Sequence, residues 1–454
     1  MASSSVNFHL HSLLNFQGMV MKLISLKPYI PLTIFILVLI IVMWLTYVPY
    51  PYIIRLNDSD YPNEHVPTIV IPGGNFTIAS SIEKVWIDEQ ELKIEQAVVK
   101  IPEDFSPGWY NITLQISGIN TTRNTSIYVT PIKLDDFTFI QVTDVHTPCY
   151  MGADIEERKN VFDLINDIGP AFIVDTGDMT NYGLEEQYIY YDYITSELEM
   201  PLYKIPGNME TYSDPYLERY ARNLGPSNYF FYFGETLFVA SAALHSPRSW
   251  GGFDDAQIKW INNTLSKEAD LKFLLNHIPI VARQGRDYNY VPWGWKDGYF
   301  SQIEEGYKEI VNILIKEKAN VLSGHWHGYN DIFQHKEATF YNTPSVTRMS
   351  GIKEGPRFRL FQIQNNTITY DKVIECEKLH ITKEYTTNNT QVKIIINNEE
   401  GFTIPLNIHV KLIPSILPYA TDQGKIIKYT SSGDIWVKYN APVGTSEIEI
   451  VQTI

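Results

Sequence analysis

From Phe137 onward short apolar runs alternate with amphipathic stretches, and five of those runs end on polar clusters built from Asp, Asn, His and Gly. This order restricts the fold more than any bulk property does. Strands alternating with helices form layered α/β domains, and open sheets of that kind hold ligands beyond the carboxyl ends of their strands. The clusters are Asp144-Val-His146, Gly177-Asp178, Gly207-Asn208-Met209-Glu210, Asn276-His277 and Gly324-His325-Trp-His327. FTFIQV (137–142), AFIVD (171–175) and residues 319–322 predict strands, and residues 156–168 predict a helix with Val161, Leu164, Ile165 and Ile168 on one face. Ser301 and Glu304 read as a capping box opening a helix that carries Ile303, Tyr307, Ile310, Val311 and Leu314.

Any one cluster is what a turn needs, because Asp, Asn and Gly all serve turns. Jointly they say more, since four of the eleven histidines fall beside two Asp and one Asn at successive strand ends. In extended backbone, residues i and i+2 face one side, so Asp144 with His146, and His325 with His327, are each expected to direct two groups into one volume. A mixed carboxylate, amide and imidazole set suits Mn, Fe or Zn better than Ca or Mg. Seven such groups are too many for one ion and about right for two.

In order, D-x-H, G-D, G-N-x-[DE], H and G-H-x-H across residues 137–375 resemble the signature of the calcineurin-like metallophosphoesterase superfamily. Residues 225–240 also look like the strand pair that follows the G-N motif there. The resemblance implies a four-layer α/β/β/α sandwich over residues 135–375. It also implies two divalent or trivalent metal ions, with Asp144, His146, Asp178 and His327 around one and Asp178, Asn208, His277 and His325 around the other. Asp178 would bridge them, and Asp178 and Asn208 would serve catalysis. The implied chemistry is hydrolysis of a phosphate ester by hydroxide shared between the metals, which needs no protein nucleophile. Consistent with that, the chain has no G-x-S-x-G elbow.

One departure is Met209, where the family has a His thought to protonate the leaving oxygen. Methionine cannot transfer a proton, and loss of a general acid typically costs a factor of about 10² to 10⁴. His245 and Glu210 are the candidates to replace it; the plainer readings are a loop histidine and a solvated carboxylate. Branches of the superfamily that replace this His act on phosphodiesters, so a diester is the preferred substrate. A phosphomonoesterase resembling purple acid phosphatases is the second reading. His146 and the run Met179-Thr180-Asn181, where that branch has a Tyr ligand, argue against it. The third is a surface binding protein that keeps its metals without turnover, for which Met209 speaks. In the segment 283–300, Arg283 and Arg286 are candidate phosphate contacts and Trp293 and Trp295, with Tyr288 and Tyr290, candidate stacking surfaces; packing of the loop explains the same rings equally well.

The flanks have a different pattern. Residues 68–71, 97–101, 110–116 and 125–129 are short, β-branched and separated by Gly, Pro and Asn, which predicts a small Ig-like β-sandwich over 66–134. Period-two alternation returns in VKIIIN, LNIHVKLI, DIWVKY and SEIEIV and predicts a second β domain over 376–454. No residue from Pro28 to Ile54 is charged, so residues 29–49 are expected to cross a membrane. Residues 1–28 would form the amino terminus and 50–65 a linker. Lys22 and Lys27 before the span, against Asp58, Asp60 and Glu64 after it, put the amino terminus in the cytoplasm of a single-pass cell-membrane protein with its catalytic domain extracellular. Eight N-x-Ser/Thr sequons, at Asn57, Asn75, Asn111, Asn120, Asn124, Asn262, Asn365 and Asn388, agree with that side. The formal net charge of −16 excludes a general nucleic-acid binder and leaves small phosphate esters, including lipid or nucleotide diesters, as partners. Cys149 and Cys376 fit no zinc-finger spacing, and a single disulfide between them stays open.

Overall fold

Two mixed sheets, linked by a layer of phenylalanines, occupy the middle of the chain. The computed structural model describes residues 62–245, 248–283, 293–294, 299–301, 303–348, 355–415 and 417–453. The chain falls into two compact units, Met1–Pro49 and Tyr50–Ile454. The first unit, with the predicted span at 29–49, lies outside the described residues, among which no helix is long and apolar enough to cross a membrane.

The first sheet runs in the order Leu202–Lys204, Phe172–Asp175, Asp136–Val142, Arg357–Gln364 and Thr367–Glu375. Its first three strands are parallel and the last two antiparallel. The second sheet runs Asn228–Phe233, Thr236–Ser241, Leu271–Leu275, Asn320–Ser323, Ala338–Asn342 and Asp331–His335. Its four inner strands are parallel. Phe139 joins the two: its ring stacks on Phe172 and Phe361 of its own sheet at 5.3 and 4.7 Å, and meets Phe238 and Phe273 of the other edge-on at 5.3 and 5.5 Å. Such pairs add roughly 0.5–1.5 kcal/mol each beyond the area they bury.

Among the described residues five α-helices accompany the sheets: α1 (Ala153–Ile168), α2 (Glu185–Thr195), α3 (Glu218–Leu224), α4 (Asp255–Leu265) and α5 (Tyr307–Lys316). α1 starts three residues earlier than its apolar periodicity indicates. The predicted capping box is corrected: Ser301 ends the strand Tyr299–Ser301, and Glu304 lies in Ile303–Glu305, which pairs with Gly251–Gly252. α5 opens instead at Gly306, whose φ of 72° a glycine adopts at little cost. Burial of Ile303 in that pairing outweighs the local capping signal.

Before the sheets, residues 68–129 form a five-stranded and a three-stranded sheet around a separate apolar core that includes Val85, Val99, Ile112, Leu114 and Val129. After them, residues 379–452 form a four-stranded and a three-stranded sheet whose buried side chains are continuous with the central core. That carboxyl-terminal part meets the amino end of the strand Asp136–Val142. Lys438 pairs with Asp136 at 2.5 Å, Asn407 Nδ2 donates to Thr138 Oγ1 at 3.0 Å, and a Cβ at Gly169 would stand 1.9 Å from the Asn407 carbonyl oxygen. The polar clusters lie at the opposite ends of the strands.

His65 sits where the first β region meets the α/β core, so close to Gly225 that a Cβ at that glycine would lie 2.4 Å from its own. Burial, with the charge of Lys204, pushes His65 down to about 4, Glu64 acting against them. Its folded pKa lies below the unfolded value of 6.5, so its contribution to stability is present above that value and is lost as pH falls through about 4. Thermal denaturation between pH 7 and 4 should show the wild type losing stability faster than His65→Gln, which cannot titrate; equal slopes would place no neutral, buried imidazole there.

Candidate metal centre

All five clusters follow carboxyl ends of strands, three on the first sheet and two on the second. Backbone hydrogen bonds then join the loops to one another. Asp144 N–H donates to the Gly177 carbonyl at 2.8 Å, His146 N–H to Asp178 at 2.9 Å and Gly324 N–H to His277 at 3.0 Å. His325 N–H donates to Asp144 Oδ2 at 2.9 Å, which ties the two sheets together at the site.

Asp144, His146, Asp178 and His327 each bring one ligand atom within 4.8 Å of the others, and Asp178, His277 and His325 do the same. Asp178 belongs to both groups. His146 Nε2 lies 3.0 Å from His327 Nε2, His327 Nε2 3.3 Å from Asp144 Oδ1, and His277 Nε2 3.1 Å from Asp178 Oδ2. Two imidazoles are oriented from behind: His277 Nδ1 faces the Thr176 carbonyl at 2.8 Å, and His146 Nδ1 faces Asn181 Oδ1 at 3.2 Å. Partners of this kind fix a tautomer with the other nitrogen free for a metal.

The backbone reaches this arrangement by a route the i, i+2 reasoning did not contain. Asp144, His146, Asp178 and His325 have φ values of 55, 51, 56 and 71°, so these residues are left-handed rather than extended. Such conformations cost of order 1–3 kcal/mol each and persist where surrounding bonds over-determine them. His325 and His327 accordingly face different groups. Glycines provide the clearance: a Cβ at Gly207 would stand 2.1 Å from Asp178 Oδ1, and one at Gly324 would stand 1.8 Å from Thr143 Oγ1.

Burial works to raise both carboxylates. For Asp144 the charge of His327 and hydrogen bonds from His146 and His327 outweigh it and hold the group well below the usual range; for Asp178 the charge and hydrogen bond of His277 outweigh it and lower the group. Burial works against a charge on His277 too, but Asp178 overrides it and lifts the imidazole to about 9. Burial and the His277 charge push His325 down to about 4. The residues present fit metal ions, since Asn208 Oδ1 is a buried oxygen with no hydrogen-bond partner among the described residues. Two carboxylates, an amide and four imidazoles are a donor set for first-row metals.

Glu210 is corrected from a solvated carboxylate to a fully buried one. It accepts from Asp178 N–H at 3.0 Å, Gly207 N–H at 2.7 Å, and Thr180 N–H and Oγ1 at 2.8 Å each. Burial and the Asp178 charge push it up to about 8, against the lowering by the bonds from Thr180 and Gly207. It fastens the Asp178 loop to the Gly207 loop. Met209 N–H donates to Asp178 Oδ1 at 2.9 Å, so this position acts on the site through its backbone. His245 lies outside both ligand groups; burial lowers its pKa, while Glu304 and Glu305 act to raise it.

Arg359 is a residue the pattern did not reveal. Only 1% exposed, it donates to Thr343 Oγ1 at 3.1 Å, to the Asn342 carbonyl at 3.2 Å and to Asn330 Oδ1 at 2.5 Å, while Asn342 Nδ2 donates to the Gly324 carbonyl at 2.7 Å. This chain of bonds supports the loop that carries His325 and His327. Arg286 and Trp295 lie outside the described residues, as do Tyr288 and Tyr290, and only the backbone of Arg283 and Trp293 is described, in short strands. Cys149 and Cys376 are free thiols, which closes the disulfide alternative.

The family model described as calcineurin-like phosphoesterase matches residues 137–329. A probable glycerophosphodiester phosphodiesterase of Arcobacter nitrofigilis is 27% identical over 157 residues, 31% of this chain and 57% of that protein, so the match spans little more than half of the relative's length. Among solved structures, a dimetal phosphatase of Danio rerio is 14% identical with a TM-score of 0.38, covering 53% of this chain and 98% of that one. A purple acid phosphatase of yellow lupin (Lupinus luteus) is 10% identical with a TM-score of 0.40, covering 82% and 67%.

Proposed function

We propose that this chain is a membrane-anchored, outward-facing hydrolase of phosphodiesters that works with two metal ions. The observation that carries the reading is the sharing of Asp178 between two groups of buried ligand atoms. Asp144, His146, Asp178 and His327 would hold one ion and Asp178, Asn208, His277 and His325 the other. Ions bound there would supply Lewis acidity toward the phosphoryl oxygens and a water acidic enough to act as a nucleophile near neutral pH. The chain's own part is to hold both carboxylates ionised, to keep His325 neutral and to fix the tautomers of His146 and His277.

Met209 supports a diester, because no proton donor stands where the family has its His. The Arcobacter relative, a probable glycerophosphodiester phosphodiesterase, supports the same class. The flanking β regions we read as two β-sandwich domains on either side of a four-layer core. Outward orientation is supported by the uncharged stretch from Pro28 to Ile54 and by the sequon asparagines, six of which are exposed among the seven described, Asn262 being half-buried.

Hydrolysis of bis(p-nitrophenyl) phosphate and p-nitrophenyl phosphate by the full chain in detergent, with added Mn²⁺, tests the reading. Faster metal-dependent turnover of the diester is expected. A preference for the monoester would move the assignment to a phosphomonoesterase, and turnover of neither would favour a metal-bearing binding protein.

A further inference from the structure

Asp144 and His146 are both left-handed and both proposed ligands, so the short turn they share must be held against its own strain. The Gly177 and Asp178 carbonyls accept its N–H groups. Side chains supply the donors for its carbonyls. Ser345 Oγ donates to the Asp144 carbonyl at 2.8 Å and Thr347 Oγ1 to the Val145 carbonyl at 2.7 Å. Arg158 reaches two carbonyls at once, Nε donating to Val145 at 2.7 Å and Nη2 to His146 at 3.1 Å.

Arg158 projects from α1, the helix that follows the turn, and is only 6% exposed. Its third bond runs from Nη1 to the Asp154 carbonyl at 2.5 Å, so all three end on backbone oxygens. Asp154 and Glu157 favour its charge from nearby, but among the described contacts neither carboxylate accepts a bond from it. A buried guanidinium directed at carbonyls is engaged in holding backbone rather than in an ion pair. The two carbonyls also have a particular place: they belong to the peptide units immediately before and after the His146 Cα. A rigid planar fork across both fixes the orientation of the two planes together, and with them the direction in which the imidazole leaves the chain.

Resting on the two-metal reading above, we propose that Arg158 is the positioning residue for His146: its guanidinium locks the peptide planes on either side of His146 and so directs the imidazole into the ligand group shared with Asp144 and His327. It acts through the backbone, not by contact with substrate or metal. The effect is asymmetric, because His277 and His325 of the other group stand on loops to which Arg158 makes no bond among the described contacts.

The test compares Arg158→Ala and Arg158→Lys with wild type, each as the full chain in detergent. Lysine keeps the charge but offers a point donor in place of the fork. Two readouts need no turnover. In the metal-free proteins, hydrogen exchange at the His146 amide should be faster in both variants, while the Gly324 amide, which bonds the His277 carbonyl, should exchange as in wild type. Calorimetric titration with Mn²⁺ should show one site weakened by about 10–100-fold, more in the alanine than in the lysine variant, and the other site retained. With bis(p-nitrophenyl) phosphate, kcat should fall by a similar factor while KM changes little. Millimolar guanidinium should restore part of that loss in Arg158→Ala and leave wild type unchanged. If circular dichroism shows Arg158→Ala unfolded, exchange and titration of Arg158→Lys decide the matter. Two sites weakened alike, or two undiminished sites with wild-type exchange, would overturn the positioning role and leave the hydrolase reading intact. The expected exchange and binding, with no ester turned over by wild type, would support the role of Arg158 and remove the hydrolase reading instead.

Discussion

Asp178→Asn is expected to lower metal-dependent diester turnover by at least about 10³, the largest single loss in the molecule. The side chain keeps its volume, so the fold should survive. What changes is charge: the one carboxylate shared by both ligand groups becomes a neutral amide, at a position where His277 Nε2 approaches to 3.1 Å and Met209 N–H to 2.9 Å. Bridging metals are worth several kcal/mol of transition-state stabilisation, and each 1.36 kcal/mol is a factor of ten. Calorimetric titration of the metal-free variant with Mn²⁺ should show fewer or weaker sites than in wild type. Two undiminished sites in the variant would mean that Asp178 does not join the ions.

The second large effect concerns stability. Glu210→Ala is expected to cost about 3–5 kcal/mol, because it strands four buried donors that now converge on one carboxylate. Glu210→Gln should fall between wild type and alanine: the amide oxygen still accepts, but its NH₂ is turned toward donors. Denaturant unfolding measures both. A loss below about 1 kcal/mol in Glu210→Ala would show that water reaches these donors. Metal affinity should fall along with stability, since the same carboxylate positions Asp178 N–H and Gly207 N–H.

The α/β region was legible because its polar clusters use rare residue types in a fixed order on strands with clear apolar runs. The helix ending at Ile168 follows from its apolar periodicity, and the strand pair at Asn228–Phe233 and Thr236–Ser241 is the one the family resemblance implied. Glu210 shows where such reading stops. Nothing local separates a surface glutamate from one buried by two loops, because its donors come from residues up to 32 positions away. Arg359 was silent for the same reason, and a buried arginine carries no periodic mark.

By itself the sequence determined the strands Asp136–Val142, Phe172–Asp175 and Asn320–Ser323, the helix ending at Ile168 and the polar residues that follow the strands, all of which depend on neighbours along the chain. Tertiary structure alone decided that Asp144, His146, Asp178 and His325 are left-handed, that His325 and His327 part company, and that α5 begins at Gly306. Those outcomes are set by hydrogen bonds and burial between distant segments, which outweigh local preferences of about 1 kcal/mol per residue.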